Sequence, residues 1–448
     1  MNFWGRFPVI CVAAMLFLWS GTAMAQEETP EIGDDEPVTE IPANGEARSA
    51  FGNYRAFLKH QENLLMSLDI WGSSSTIPEG YGIVFLGWQH RRAYKRFDEF
   101  RKQTDIVPVI TAPDPFLGRG SFFTFDFGIS GRLSGYGGGI QYGITDRLSA
   151  MINTFWVVVH IDIDPIFTPG TSDQVGIVTL DDFYEILVLL GRPIPKTSYD
   201  SDPVDWGDTS LELKWNYFRA DHVSSAIQGG IILPTAHRAD PQSNLIFGLG
   251  PDLDTGSTAW GAKAGSMIDF RLPDPVKWVS FSFGAEGAYF LPVERDAPEF
   301  PPLNQDVKDY LASQGVDVDI FPDLTDVPST YTYQPAPWAA LSAGIGLGPV
   351  SVTYRHGFAG AASYTSNSEG FEDLVDAIGL VGYGDDGKLI FNMPVPLTPL
   401  LIPGILNFNF EYQTDGRNTL IFRDVYTIGL GIGWPVNVPD RYKMGGEP

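Results

Sequence analysis

The chain has 448 residues, 44% of them hydrophobic and 13% aromatic, and its 55 acidic and 29 basic side chains give a net charge of −26. That balance argues against nucleic acid as a partner, because such partners demand basic patches. The single cysteine, Cys11, leaves no internal disulfide to staple the fold.

Residues 1–25 open with one positive charge, Arg6, continue with the apolar run FPVICVAAMLFLWSG and end in Ala23-Met24-Ala25. This is the pattern of a secretory signal cleaved after Ala25, and the apolar run is too short for a comfortable transmembrane anchor. Cys11 leaves with it. Residues 26–47 hold eight acidic residues and no basic one, with Pro and Gly among them, and read as an acidic disordered tail. Residues 48–119 are different in kind, with ten basic against seven acidic residues. SAFGNYRAFLKHQENLLMSL (49–68) and HRRAYKRFDEFRKQT (90–104) have helical character, so this stretch is expected to be a partly helical pre-barrel segment or a plug.

From residue 120 strands recur. SFFTFDFGIS places Phe123, Phe125, Phe127 and Ile129 on one face, and ILNFNFEYQT (405–414) alternates Leu406, Phe408, Phe410 and Tyr412 against Asn407, Asn409, Glu411 and Gln413. Alternation of this kind is the period of an extended strand. Between these two lie YGGGIQYG, LSAMINTFWVV, LELKWNYF, VSSAIQGGIIL, WGAKAGSMIDF, VSFSFGAEGAYF, WAALSAGIGLG, VSVTYRHG and KLIFNMP, and VYTIGLGIGW follows. Twelve segments result, with ten to fourteen allowed.

Their connections alternate in length. Residues 144–147, 219–222, 272–276 and 348–349 are tight, and 395–403 nearly so, whereas 160–206, 234–258, 291–336 and 359–386 are long and mostly acidic. Short helices are predicted inside the long ones, at DDFYEILVLLG, NQDVKDYLASQG and FEDLVDAIG. Tight turns at one end and long loops at the other are the plan of an outer-membrane barrel. A two-sheet sandwich would need Greek-key crossovers instead. The polar faces also carry charges of both signs, which a dry sandwich core would tolerate poorly. The fold class expected is all-β: an antiparallel transmembrane β-barrel over 120–435, with a short tail at 436–448. Trp156, Trp215, Trp260, Trp278, Trp338 and Trp434 fall near predicted strand ends, where an aromatic girdle would sit.

The segments LGRGSFFTFDFG, YGITDRLSAMI, GDTSLELKWNYF and GGIILPT, with the glycine-rich last strands, resemble the outer-membrane family assigned to the meta-cleavage pathway of phenol degradation. The resemblance covers roughly Leu117 to Pro435. It implies a β-barrel, related to transporters of fatty acids and aromatic hydrocarbons, that passes small and often hydrophobic molecules. The chain departs from that family in its long acidic loops, its N-terminal extension and its non-aromatic C-terminus. No binding residue carries over one by one.

Residues that could line a lumen are Asp126, Glu212, Lys214, Lys263, Asp269, Glu286, Arg355 and Glu411. No catalytic residue, metal ligand or cofactor is assigned. HIDID (160–164) puts a histidine and two aspartates on one strand face, but a wet rim explains it better than a metal site. DLDTG (252–256) starts like a calcium loop and lacks the later ligands; the acidic loops could still hold divalent cations loosely against lipid phosphates. The six histidines are scattered and no serine sits in G-x-S-x-G, so an enzyme is not expected. GYGGG (135–139) lacks the lysine and helix of a phosphate loop and suits a bent or thinned strand. The function expected is an outer-membrane channel or transporter for small, hydrophobic or aromatic solutes, in contact with outer-membrane lipids. The alternatives are an adhesive or structural barrel acting through its acidic loops, and a barrel-embedded lipid hydrolase.

Overall fold

The computed structural model describes residues 74–106, 110–113, 121–169, 179–189, 198–200, 205–238, 257–297, 305–313, 329–366, 383–397, 400 and 404–436. The expected signal segment, acidic tail, helix at 49–68, DLDTG loop, helix in FEDLVDAIG and residues 437–448 lie outside the described residues.

Twelve long strands carry the fold. They are β1 (Tyr81–Phe97), β2 (Ile129–Thr145), β3 (Leu148–Ile163), β4 (Thr209–Arg219), β5 (Val223–Leu233) and β6 (Gly261–Arg271). The remaining six are β7 (Val279–Phe290), β8 (Trp338–Leu347), β9 (Val350–Ala359), β10 (Gly384–Pro396), β11 (Gly404–Arg417) and β12 (Thr419–Pro435). Each pairs antiparallel with its successor. The last returns to the first, with Tyr81 opposite Pro435 and Phe97 opposite Thr419. The result is a closed twelve-stranded antiparallel meander. Closure leaves no barrel edge and satisfies the strand backbone within the barrel, which is what a strand structure must do in lipid.

The turns sort as the sequence implies. At one end residues 146–147, 220–222, 272–278, 348–349 and 397–403 join the strands. At the other, 98–128, 164–208, 234–260, 291–337 and 360–383 are long, and only β11–β12 turns tightly there. That turn places Asn418 in the left-handed region (φ 49°), a conformation asparagine tolerates better than most residues. The helices expected in two of the long connections are present, as α1 (Leu180–Leu189) and α2 (Gln305–Ser313). Two three-stranded sheets also stand at this end, one from 110–113, 121–126 and 166–169, the other from 293–296, 330–334 and 363–365.

Two expectations are corrected here. HRRAYKRF is not helical: it is the upper half of β1, so the barrel starts at Tyr81 and not at residue 120. The inner face of this strand carries Gln89 and Arg91 while the outer face carries His90 and Arg92, so polarity no longer alternates and the strand period is hidden. Conversely SFFTFD, the cleanest alternation near the start, belongs to the first loop-end sheet. Phe125 is buried there against Phe127, with ring centroids 4.6 Å apart. The strand was legible, but its partners were not.

Outside, the barrel is apolar. Leu213, Trp215, Ile227, Phe283, Leu341, Phe391, Phe410 and Tyr412 are all exposed, each beside at least one buried chain neighbour. Such a band belongs against hydrocarbon.

Candidate functional site

The interior is the candidate site, and β11 shows how the sequence builds it. Phe410 and Tyr412 are 50% and 59% exposed on the outer face, whereas Glu411 between them is 4% exposed inside. Side chains of one strand point alternately out and in, so each apolar position facing lipid delivers a polar neighbour to the lumen.

Those polar neighbours form a belt of ion pairs around the inner wall. On β4, Ser210 Oγ donates to Glu212 Oε1 at 2.7 Å. Lys263 Nζ of β6 lies 3.2 Å from Glu212 Oε2 and 4.0 Å from Glu286 Oε2 of β7. Arg355 Nη2 of β9 is 2.6 Å from Glu286 Oε1. On β10, Lys388 Nζ is 2.6 Å from Asp386 Oδ2. Glu411 accepts from Gln89 Nε2 of β1 at 3.1 Å and lies 3.7 Å from Arg91 Nη2. The belt contains four cations (Arg91, Lys263, Arg355, Lys388) and four anions (Glu212, Glu286, Asp386, Glu411). It is therefore balanced, and offers no single-sign field to a passing ion.

Beside the belt the inner wall changes character along one hydrogen-bonded row. Asn392, Asn409, Thr427 and Gln89 stand abreast on β10, β11, β12 and β1, followed by Gly135 on β2 and Val157 on β3. Asn392 (both amide atoms) and the amide oxygens of Asn407 and Asn409 are buried without a hydrogen-bond partner among the described residues. Buried amides of this kind are satisfied by water or by a solute's polar group. Val157 belongs to an apolar wall, where Phe155, Val157, Val159, Ile161 and Ile163 face in from β3 and cluster with Ile232, Ala288 and Phe290. Trp338, expected in the outer girdle, instead occupies an inner position at the start of β8 and packs against this apolar cluster. Gly139 serves a close approach: a Cβ there would sit 2.4 Å from the Phe85 ring, so the thinned strand admits a side chain of the barrel itself.

The short-turn end is narrowed by the residues leading into β1. Ser74, Ser75, Thr76 and Ile77 are buried, and Asp269 accepts both the backbone N–H and the Oγ–H of Ser74 at 2.6 Å. Asn216 Nδ2 donates to Ser74 O (2.8 Å), Ile77 N–H to Ser149 Oγ (2.8 Å) and Thr76 Oγ1 to Asp146 O (2.8 Å). Gly143 faces this segment so closely that a Cβ would lie 2.0 Å from Pro78 O.

At the long-loop end Asp208, just before β4, ties the two described ends of the β5–β6 connection together. Its Oδ2 accepts Ser257 N–H (2.7 Å) and Ser257 Oγ–H (2.6 Å), and its Oδ1 accepts Ala236 N–H (3.3 Å). Burial raises its pKa from 3.8, and the hydrogen bonds from Ser257 and Ala236 only partly offset that.

Of the residues proposed from sequence, Glu212, Lys263, Glu286, Arg355 and Glu411 meet in the belt, and Lys214 stands next to it on the same face of β4. Asp269 belongs to the short-turn end. Asp126 is a correction: it lies in the loop-end sheet, outside the barrel strands, and accepts Gly128 N–H at 2.9 Å. Arg91, Asp386, Lys388 and Gln89 were missed, because Arg91 sat in a stretch read as helical and Asp386 in one read as loop. HIDID runs along β3 with Ile161 and Ile163 inward, while His160 Nε2 and Asp162 Oδ1 meet at 2.8 Å on the outer face. Among the described residues no three His, Cys, Asp or Glu side chains converge as a metal site would require.

No family model matches the chain, and no curated protein matches it in sequence. Among solved structures it is similar to an outer membrane channel from Pseudomonas putida F1, at 10% identity and a TM-score of 0.46 over 81% of this chain and 98% of that one. It is also similar to the CymD monoaromatic hydrocarbon channel, at 12% identity and a TM-score of 0.29 over 85% and 93%. A deletion mutant of the TodX monoaromatic hydrocarbon channel gives 11% and 0.30 over 81% and 91%. At these scores the likeness is one of barrel outline, and the strand count rests on the closed ladder.

Proposed function

We propose that the protein is an outer-membrane channel for small, neutral solutes with an apolar and chiefly aromatic body. The observation that carries this reading is the inner row that passes from Asn392, Asn409, Thr427 and Gln89 to Val157 and the apolar wall of β3. A flat apolar molecule bearing a hydroxyl or similar group could lie against that wall and exchange its hydrogen bonds with the amides. The apolar exterior and closed ladder suit a membrane location, and the export signal read in the sequence would direct the chain to the outer membrane. The resemblance of residues 117–435 to the phenol-degradation family points to the same solute class. Ser134 Oγ and His90 Nδ1 approach to 3.4 Å on the outer face, but no orienting partner stands on the second ring nitrogen among the described residues, so the pair is not assigned catalysis.

The test is uptake by lipid vesicles containing the refolded protein. A neutral phenol should enter faster than through empty vesicles, and with a larger protein-dependent gain than a sugar of similar size. Equal gains for both, or no gain for either, would overturn the reading.

A further inference from the structure

On the outer surface near the long-loop end, basic side chains stand abreast on four adjacent strands. Arg92 of β1 is the register partner of Arg423 on β12 and of Arg132 on β2, and Arg132 is the partner of His160 on β3. This occurs in a chain of net charge −26, most of whose acidity lies in the N-terminal tail and the connections. Like charges directly opposite one another on a sheet are destabilising unless something neutralises them. Asp200 stands at the next register position beyond His160, but among the described residues no ion pair reaches Arg92 or Arg423. Asp162 is shared between Arg132 Nη2 (3.4 Å) and His160 Nε2 (2.8 Å), and Asp424 follows Arg423 in the chain. Arg92 has its guanidinium carbon 4.8 Å from the centre of the Tyr94 ring, and its buried Nε has no hydrogen-bond partner among the described residues.

The position of the row relates it to the membrane. Four residues away along β1, β2 and β3, toward the short-turn end, runs a second outer row of Trp88, Tyr136 and Trp156, continued by Trp206 beside Trp156. Trp156 and Trp206 lie 5.1 Å apart, and Tyr136 is exposed. A row of tryptophan and tyrosine marks the boundary between hydrocarbon and headgroups. Four residues of strand span roughly 13 Å, which sets the arginines at or above the headgroup layer.

We propose that Arg423, Arg92 and Arg132, with His160 beside them, bind the phosphate headgroups of the lipid leaflet at the long-loop end. Guanidinium groups suit this role because their planar donor fork matches a phosphate. The proposal rests on the reading of the chain as a transmembrane barrel, and the experiment separates the two.

The full chain is refolded into nanodiscs of phosphatidylcholine, and binding of lipid A, of dephosphorylated lipid A and of inorganic phosphate is measured. The comparison is with a variant carrying Arg92→Gln, Arg132→Gln and Arg423→Gln, and with a second in which the same three positions become lysine. The wild type should bind lipid A in preference to the dephosphorylated form. The glutamine variant should bind lipid A about tenfold more weakly or worse, while the lysine variant retains part of the affinity and both variants keep the barrel's β-sheet signal. Equal binding of lipid A by wild type and glutamine variant, or of both lipids by the wild type, would overturn the proposal, as would binding of inorganic phosphate without preference for the lipid. Failure of the wild type to insert as a barrel would instead overturn the transmembrane reading.

Discussion

Glu286 holds two cations at once, Arg355 at 2.6 Å and Lys263 at 4.0 Å, and so links two segments of the inner belt. Replacing Arg355 by alanine leaves Glu286, partly buried, with only its longer contact to Lys263 among the described residues. The expected cost is about 3–5 kcal/mol, read as a lower temperature for loss of the folded, fast-migrating band on gels. The double variant Glu286→Gln, Arg355→Gln should cost clearly less, since it removes both charges together; equal losses would show that the pair is not coupled. Asp208 gives a pH-dependent test. Its pKa is raised in the folded protein, so its contribution to stability is fullest below 3.8 and is lost as pH rises toward the raised value. Wild type should therefore lose stability relative to Asp208→Asn as pH climbs through that window, then run parallel to it. A gain of wild type over the variant in the same window would contradict the assignment. At this scale the sequence was legible where an acidic or basic residue sat alone between apolar neighbours, as Glu212, Lys263 and Glu411 do. It misled at Asp126, whose alternating neighbours belong to a loop-end sheet, and it hid Arg91 inside the Arg91-Arg92 doublet, where only pairing decides which arginine faces in.

Among the elements, β1 and the residues before it are the least legible and among the most consequential. The outer face of β1 turns from Leu86 and Trp88 to His90 and Arg92 as it leaves the hydrocarbon, while its inner face turns from Ile83 and Phe85 to Gln89 and Arg91, so both faces are polar in the upper half and the strand period is lost there. The strands read correctly, such as β4 and β11, carry aliphatic and aromatic residues along the lipid face, in alternation with polar ones. The segment at 74–79 could not be assigned a place from sequence at all, because its position depends on Asp269, Asn216 and Ser149, which are distant in the chain. The opposing Gly143 allows a direct test. Gly143→Val puts side-chain atoms where Pro78 O now lies, and should push the segment out of the short-turn end. Planar bilayers holding the variant should carry larger single-channel currents than those holding the wild type. Unchanged currents in a folded variant would show that this segment does not narrow the passage.

For the whole molecule, the architecture follows from a few sequence-level facts: strands that present an apolar face outward, connections alternating between short and long, and an even strand number that returns β12 to β1. Twelve strands were counted and twelve close the barrel, although one of those counted gave way to β1. What the sequence could not supply is the distribution of chemistry inside, since the belt, the amide row and the apolar wall are each assembled from strands far apart in the chain. The central claim is that small apolar solutes pass along that wall. The measurement that tests it most directly compares phenol uptake into vesicles by the wild type and by Val159→Lys, which places a charge in the middle of the inner face of β3. With the barrel intact in both, the variant should lose most of the protein-dependent uptake of phenol. Undiminished uptake by the folded variant would contradict the claim and move the solute path away from β3.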